Sequence, residues 1–496
     1  MNESQNMNQT RLFQHLAVSA AVLLAGCSMI PTYERPAPPI ATEWPALSAT
    51  AAASGTQSAD NAMAAADIEW QGFFSDARLR QLIDASLRNN RDLRIAALNI
   101  EQARAQFQIR RAEQFPTVGA AATGSRQPGP NEGITSVYTA GLAMTSYEFD
   151  FFGRVASLKE AALGQYLATE EGRKTVQISL IAAVANSYLS LLADEELIGI
   201  TRQTLATRED SLRLSQLRFD NGVSSELDVR QAESLTEAAR VSLAQLTRQR
   251  ALDQNALVLL LGQPATGELA VALPAGKGLA NMPLMADVPA GLPSDLLTRR
   301  PDVRQAEQLL LASNANIGAA RAAFFPKISL TASAGSASSH RGDLFQSGSF
   351  GWTLAPQLFL PIFDAGRNRA GLESARVGRD IAVAQYEKSI QTAFREVADA
   401  LAGRATLGEQ LRASQAQASA EGVRYRLSNL RYQSGIASQL DLLDAQRSLF
   451  TAQQAVVQTR LAQLQSQVTL YKVLGGGWKE PGEAAPVANA ALAPKP

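Results

Sequence analysis

Arg218-Phe-Asp-Asn-Gly-Val-Ser-Ser-Glu-Leu-Asp-Val-Arg-Gln-Ala232 and Arg431-Tyr-Gln-Ser-Gly-Ile-Ala-Ser-Gln-Leu-Asp-Leu-Leu-Asp-Ala445 are one stretch written twice, 213 residues apart. Each lies between two long, apolar-periodic segments free of proline. Each therefore reads as a hairpin joining two long helices. Gly222 and Gly435 supply the positive-φ position that ends the first helix. Ser225 and Ser438 each stand three residues before an Asp and begin the second helix, close to a capping box.

Working outward, the repeat continues. Arg91-Asp-Leu-Arg94 matches Pro301-Asp-Val-Arg304, and Arg111-Ala-Glu-Gln-Phe-Pro116 matches Arg321-Ala-Ala-Phe-Phe-Pro326, both 210 apart. Phe149-Asp-Phe-Phe-Gly-Arg154 matches Phe363-Asp-Ala-Gly-Arg367, and Leu260-Leu-Gly262 matches Val473-Leu-Gly475. A repeat this long is read before anything else. Residues 76–262 form repeat 1, 263–293 a linker, 294–475 repeat 2 and 476–496 a disordered tail. Each repeat runs in the same order: a helix, a proline stop, two β-like runs, a Gly-Arg corner, a very long helix, the glycine turn and a returning helix. The corners are Gly153-Arg154 and Gly366-Arg367.

The periods support this order. Leu79, Leu82, Ile83, Leu87, Leu93, Ala97, Ile100, Arg104 and Phe107 recur at helical spacing, predicting one helix from Asp76 to Phe115, stopped by Pro116. Residues 117–125, 136–149, 327–335 and 350–363 change to small, β-branched and aromatic residues. Each run is roughly ten residues, the length of a tilted transmembrane strand. Tyr138, Tyr147, Phe149, Phe350, Trp352, Phe359 and Phe363 near their ends suit an interfacial girdle; hairpins of a soluble domain carry such ends too. From Val155 to Leu217 there is no proline. Those roughly 63 residues span on the order of 95 Å as helix, against a globular mean near 12 residues. The second copy runs from Asn368 to about Leu430. Ile178, Ile181, Ala185, Tyr188 and Leu192, and then Leu443, Phe450, Val457, Leu464 and Tyr471, make coiled-coil seams. Helices this long form a rod or a tube. Only helices or closed barrels span a bilayer, and no stretch is continuously apolar for 18 residues. Single-chain barrels start at about eight strands, so four strands in a membrane require several chains to share one barrel; three would supply twelve.

Arg11 precedes a short apolar run, Leu16 to Leu24, about half the length needed to cross a bilayer. Residues 1–26 therefore read as a signal peptide, with Met7 an alternative start. Leu24-Ala-Gly-Cys27 resembles a lipobox. Cys27 is the chain's one cysteine and would carry the covalent lipid; the alternative is an ordinary signal peptide with a chance cysteine. Residues 27–75 then read as a lipid-anchored N-terminal tether, Pro-, Ala-, Ser- and Thr-rich and without periodicity over 28–66. Net charge is zero, and nothing points to nucleic acid. Of the two His, His15 leaves with the signal peptide and His340 lies in a loop between strands. Neither a G-x-S-x-G elbow nor a phosphate loop is present. The inventory predicts no enzyme, no metal site and no cofactor beyond the lipid.

The lipobox, Trp70-Gln-Gly-Phe-Phe74, the paired Asn90–Arg94 and Arg300–Arg304 motifs, the Phe363–Arg367 corner and Gly435 to Phe450 together resemble the TolC-like outer-membrane efflux family. The likeness is greatest to the lipoprotein channels of tripartite multidrug pumps and covers residues 27–479 in order. It implies a mainly α protein with a membrane β-barrel: a homotrimer sharing twelve strands, with a long α-helical coiled-coil barrel. It implies a Gram-negative outer-membrane location extending through the periplasm, and two partners, a periplasmic adaptor (membrane fusion protein) and an inner-membrane transporter of the resistance-nodulation-division class. The function implied is a passive exit duct for drugs and other small toxic compounds, gated at its periplasmic tip. Asp441 and Asp444 match the family's acidic gate residues and would form rings under threefold symmetry, although capping alone also accounts for Asp441, as it does for Asp228. Gln231 stands where repeat 2 has Asp444. Tyr432 is either a core aromatic or, by resemblance, a hydrogen-bond donor across to Asp228. The family prototype's arginine five residues beyond that tyrosine is Ala437 here, so the closing network is partly different. The same fold exporting metal ions or proteins, and a non-channel trimeric coiled-coil stalk, are the rival readings. The mature chain's lack of a methionine cluster weighs against metals.

Overall fold

The computed structural model describes residues 28–46, 65–128, 134–267, 278–282, 285–286, 288–289 and 293–479. Cys27 and the signal peptide lie outside them. Two compact units emerge, one drawn from Met1–Ala37, Leu98–Glu170 and Gln305–Lys388, the other from Pro38–Ala97, Glu171–Arg304 and Ser389–Pro496.

The elements repeat as the sequence does. A short α1 (Trp70–Phe73) is followed by α2 (Ala77–Asn89) and α3 (Arg91–Ala112). Then come β1 (Val118–Pro128), β2 (Ile134–Phe149), α4 (Arg154–Asp220) and α5 (Glu226–Leu261). The second copy is α6 (Leu296–Arg299), α7 (Pro301–Ala322), β3 (Lys327–Ser338), β4 (Phe350–Phe359), α8 (Arg367–Gln433) and α9 (Gln439–Val473). Helices α4 and α8 are each 67 residues, about 100 Å long.

The first unit holds one antiparallel sheet in the order β1-β2-β3-β4, leaving β1 and β4 as unpaired edges. Strand β4 ends at Phe359, short of the expected Phe363, because Phe359 pairs with Lys327, the first residue of β3, and Pro326 before it offers no amide proton to extend the ladder. A one-residue bulge interrupts β2 against β3 between Met144 and Tyr147, with Ser146 at φ 50°. Aspartates start both long helices from the corners. Asp150 accepts from the Ala156 amide at 2.7 Å, and Asp364 from Gly366 and Asn368 at 2.9 Å each. Gly153 and Gly366 take φ 70° and 86°, the left-handed turn between strand and helix.

The second unit carries the helical core. Leu443, Phe450, Val457, Leu464 and Tyr471 are all buried, as are Ile178, Ile181, Ala185, Tyr188 and Leu192. Part of α4 is apolar and long enough to cross a membrane, but two-thirds of that window is buried in the protein (67%), as expected of a core helix.

Three expectations need correction. The helix expected over Asp76–Phe115 is two helices. Asn90 breaks it in extended conformation, its side chain accepting from the Leu93 amide while its Nδ2 caps the Leu260 carbonyl at 3.0 Å. Arg300, its repeat counterpart, caps the Val473 carbonyl at 3.0 Å; the paired motif exists to close the end of each returning helix. The described residues of the tether, 28–46 and 65–75, are docked by specific contacts. Tyr33 and Arg35 bond Glu307 (3.0, 2.7 and 2.9 Å), Asn314 holds the Pro31 carbonyl, and Trp44 stacks on Phe394 at 5.0 Å. Trp70, Phe73 and Phe74 are core, and Phe73 stacks on Tyr471 at 4.0 Å. Its composition rules out a long helix but leaves enough aromatic and charged anchors to dock. The tail is ordered to Lys479, whose ammonium pairs with Asp67; beyond that it lies outside the described residues.

Candidate functional site at the glycine turns

Both turns are built alike. Gly222 (φ 72°) and Gly435 (φ 74°) follow the last helical turn. Val223 N–H returns to the Arg218 carbonyl (2.8 Å) and Gly222 N–H to Phe219 (2.8 Å); Ile436 and Gly435 do the same to Arg431 (2.9 Å) and Tyr432 (3.1 Å). This pair of bonds is a Schellman closure, which needs a residue free of Cβ strain at the left-handed position. Both returning helices begin with a complete capping box, Ser225 with Asp228 and Ser438 with Asp441.

The candidate carboxylates therefore separate by role. Asp441 spends Oδ2 on the Ser438 amide (3.2 Å) and hydroxyl (2.8 Å), and Asp228 does likewise with Ser225 (3.1 and 2.9 Å). Asp444 caps nothing. It is bound by Arg424 of α8 and by Arg447 one turn along α9. The Arg424 guanidinium, then Arg447, holds its carboxyl below the usual carboxylate range. Within one chain Asp444 is thus the centre of an ion-pair cluster rather than a bare negative charge.

Tyr432 is buried, at 8% exposure, beneath the Arg218 guanidinium, 5.0 Å from the ring centre. Its hydroxyl donates to Gln439 Oε1 at 3.3 Å, not to the Asp228 carboxylate, which the capping box occupies. Gln439 Nε2 reaches Ser215 Oγ (2.7 Å) and the backbone carbonyl of Asp228 (3.0 Å). One heptad on, Gln446 Nε2 donates to Ser211 Oγ at 3.0 Å. Gln439 and Gln446 thus rivet α9 to α4, tying the second hairpin to the first. Neither glutamine stands out in the sequence. The available signal was a glutamine at a seven-residue interval on the same face as the apolar seam.

The corners form a second cluster. Glu148 accepts a forked pair from Arg154 (2.8 and 2.6 Å) and a third bond from Lys327 (3.0 Å). Phe152 stacks on Phe325 at 4.8 Å. In repeat 2, Ile362 and Phe363 are 94% and 89% exposed, and among the described residues no carboxylate pairs with Arg367.

The chain thus has two long helical hairpins, one per repeat, and one four-stranded antiparallel sheet with two open edges. The family model described as outer membrane efflux protein matches residues 82–263 and again 292–476; the chain belongs to that family. It is 51% identical over 478 residues to the antibiotic efflux pump outer membrane protein ArpC of Pseudomonas putida, covering 95% of this chain and 96% of that one. It is equally similar, at 51% over 478 residues, to the toluene efflux pump outer membrane protein TtgC of the same species, with the same coverage. The open state of the Neisseria gonorrhoeae MtrE outer membrane channel superposes with TM-score 0.81 at 40% identity, over 91% of this chain and 99% of that one. The protein is an outer-membrane efflux channel.

Proposed function

We propose that this chain is the passive exit duct of a tripartite pump for antibiotics and organic solvents. It works as a homotrimer anchored by lipid on Cys27, fed by a periplasmic adaptor and a proton-driven inner-membrane transporter, and it hydrolyses nothing itself. The observation that carries this reading is an inequality between repeats. Helix α7 buries Val303, Leu310 and Ile317. Its counterpart α3 buries nothing and exposes Ile95, Leu98 and Ile109. Strand β1 is likewise exposed throughout. The uncovered face of repeat 1 is the place for repeat 2 of the next copy, which makes the wall continuous and closes the sheet.

The internal repeat also supplies the register. Val118 pairs with Met144 and Ile328 with Leu358, so Leu358 is the equivalent of Met144. Met144 pairs with Ala332, the equivalent of Ala122. Leu358 of one copy therefore faces Ala122 of the next. Oxidising Leu358→Cys with Ala122→Cys should link trimers covalently, whereas Leu358→Cys with Gly124→Cys should not. Intact trimers without the first link would overturn the register; absence of trimers would overturn the assembly.

The gate is the Gln439–Tyr432–Ser215 rivet together with the Asp444 cluster, and partner contact opens it by freeing the second hairpin. If the acidic positions control the tip, Asp441→Asn with Asp444→Asn raises the concentration of trivalent cation needed to block conductance in a bilayer; unchanged block removes them from the gate. Substrate class is read from accumulation in a strain lacking the gene. Dyes accumulating without copper or silver supports the duct for organic compounds, and metals alone would replace it with metal export.

A further inference from the structure

We propose that a small monovalent anion of the halide class binds in the cavity beside Arg208, where the two hairpins meet. Arg208, on α4, is 3% exposed. Its Nη1 donates to the Leu235 carbonyl of α5 at 2.8 Å, and its guanidinium lies 5.2 Å from the Phe450 ring centre of α9. Its Nε is buried with no acceptor. Burial acts against its charged form, and among the described residues no carboxylate pairs with it. Other arginines in the helical unit are treated differently: Arg300 has Asp302 and Glu396, Arg304 has Glu171, and Arg250 has Glu195.

A guanidinium does not give up its proton in a protein. A buried charge with no opposite charge is strongly unfavourable. A carbonyl and an aromatic face offer only partial negative charge. The missing element is therefore an anion. A cavity of about 90 Å³ lies against Arg208, lined also by Thr204, Thr207, Tyr425, Gln446 and Phe450. That volume takes one halide with a water or two, each water needing roughly 30 Å³. Gln446 Oε1 is a buried acceptor without a donor; a water between it and the anion satisfies both. A divalent oxyanion brings one charge more than the single arginine balances. The repeat supports the assignment: position 421, equivalent to Arg208, is Glu421, neutralised locally by Arg424 at 3.1 Å. Repeat 2 carries its own counter-charge, and repeat 1 borrows one. Because Arg208, Leu235, Tyr425 and Gln446 come from four long helices, the ion pins all four together.

The test uses the full-length protein in detergent, melted in sodium chloride, sodium bromide and sodium gluconate at matched ionic strength. The wild type is expected to melt several degrees higher in either halide, saturably with concentration, and Arg208→Met to melt at one temperature in all three. Crystals of the wild type grown in bromide should show an anomalous peak at hydrogen-bonding distance from Arg208 Nε, which keeps the proposal testable if the variant does not fold. Equal wild-type melting in halide and gluconate, or a fully occupied water at Nε with no bromide signal, overturns it.

Discussion

The two glycine turns share a backbone and differ in what hangs from it. Both carry the Schellman closure, the positive-φ glycine and the reciprocal capping box. In the first, Phe219 is 39% exposed and Glu226 pairs with Arg230 at the surface. In the second, Tyr432 is buried, Gln439 replaces Glu226 and bridges to the other hairpin, and Asp444 replaces Gln231 and gathers two arginines. Duplication preserves what the chain needs in order to turn. Departures from the repeat mark where one hairpin must hold the other. On the proposed gate, the second hairpin would be the latch and the first the post it closes against.

The largest test of that contrast is Gln439→Leu. It strands Tyr432 Oη, removes the added bond to the Asp228 carbonyl and loosens Ser215, for a cost of about 1–3 kcal/mol. We expect a clear drop in melting temperature and a rise in leak conductance. Glu226→Leu, its counterpart, should stay within about 0.5 kcal/mol as a surface change. Equal effects would dissolve the distinction between latch and post.

Next is a carboxylate pair that repeat 1 has and repeat 2 lacks. Asp194 is 6% exposed, and burial, then its hydrogen bond to Asp253, pushes its carboxyl up to about 7. The repeat-2 equivalents are Leu407 and Ser466. The sign follows from the raised value. Between about pH 4 and 7 the folded state keeps a proton that the unfolded chain releases, so stability falls as pH rises through that window. Asp194→Asn should flatten the profile and gain about 1–2 kcal/mol at pH 8, read as melting temperature against pH. A variant as pH-dependent as the wild type would assign the slope elsewhere.

The smallest effect tests the shared part. Neither Gly222 nor Gly435 has an atom within 4 Å of where a Cβ would sit, so Ala at either meets only backbone strain, about 1 kcal/mol. The two losses should match in thermal melts. A larger loss at Gly435 would mean that the latch adds strain of its own.

The repeat, the turns, the strand runs, the seven-residue seam of α9 and both long helices were legible in the sequence, because each is a local pattern: spacing, a glycine, a proline, a capping serine. The break at Asn90, the docking of Tyr33, Arg35 and Phe73, the engagement of Tyr432 with Gln439 and the pairing of Asp444 with Arg424 were not. Each depends on which residues hundreds of positions apart, or on the facing helix, arrive together. A glutamine on a helix reads as solvated until a serine from the other repeat stands opposite, and a buried arginine reads as surface until its surroundings are known. Local chemistry determined the elements and their order. The tertiary structure alone decided which polar groups lost their water and had to find partners, as Tyr432 found Gln439 and Asp444 found Arg424.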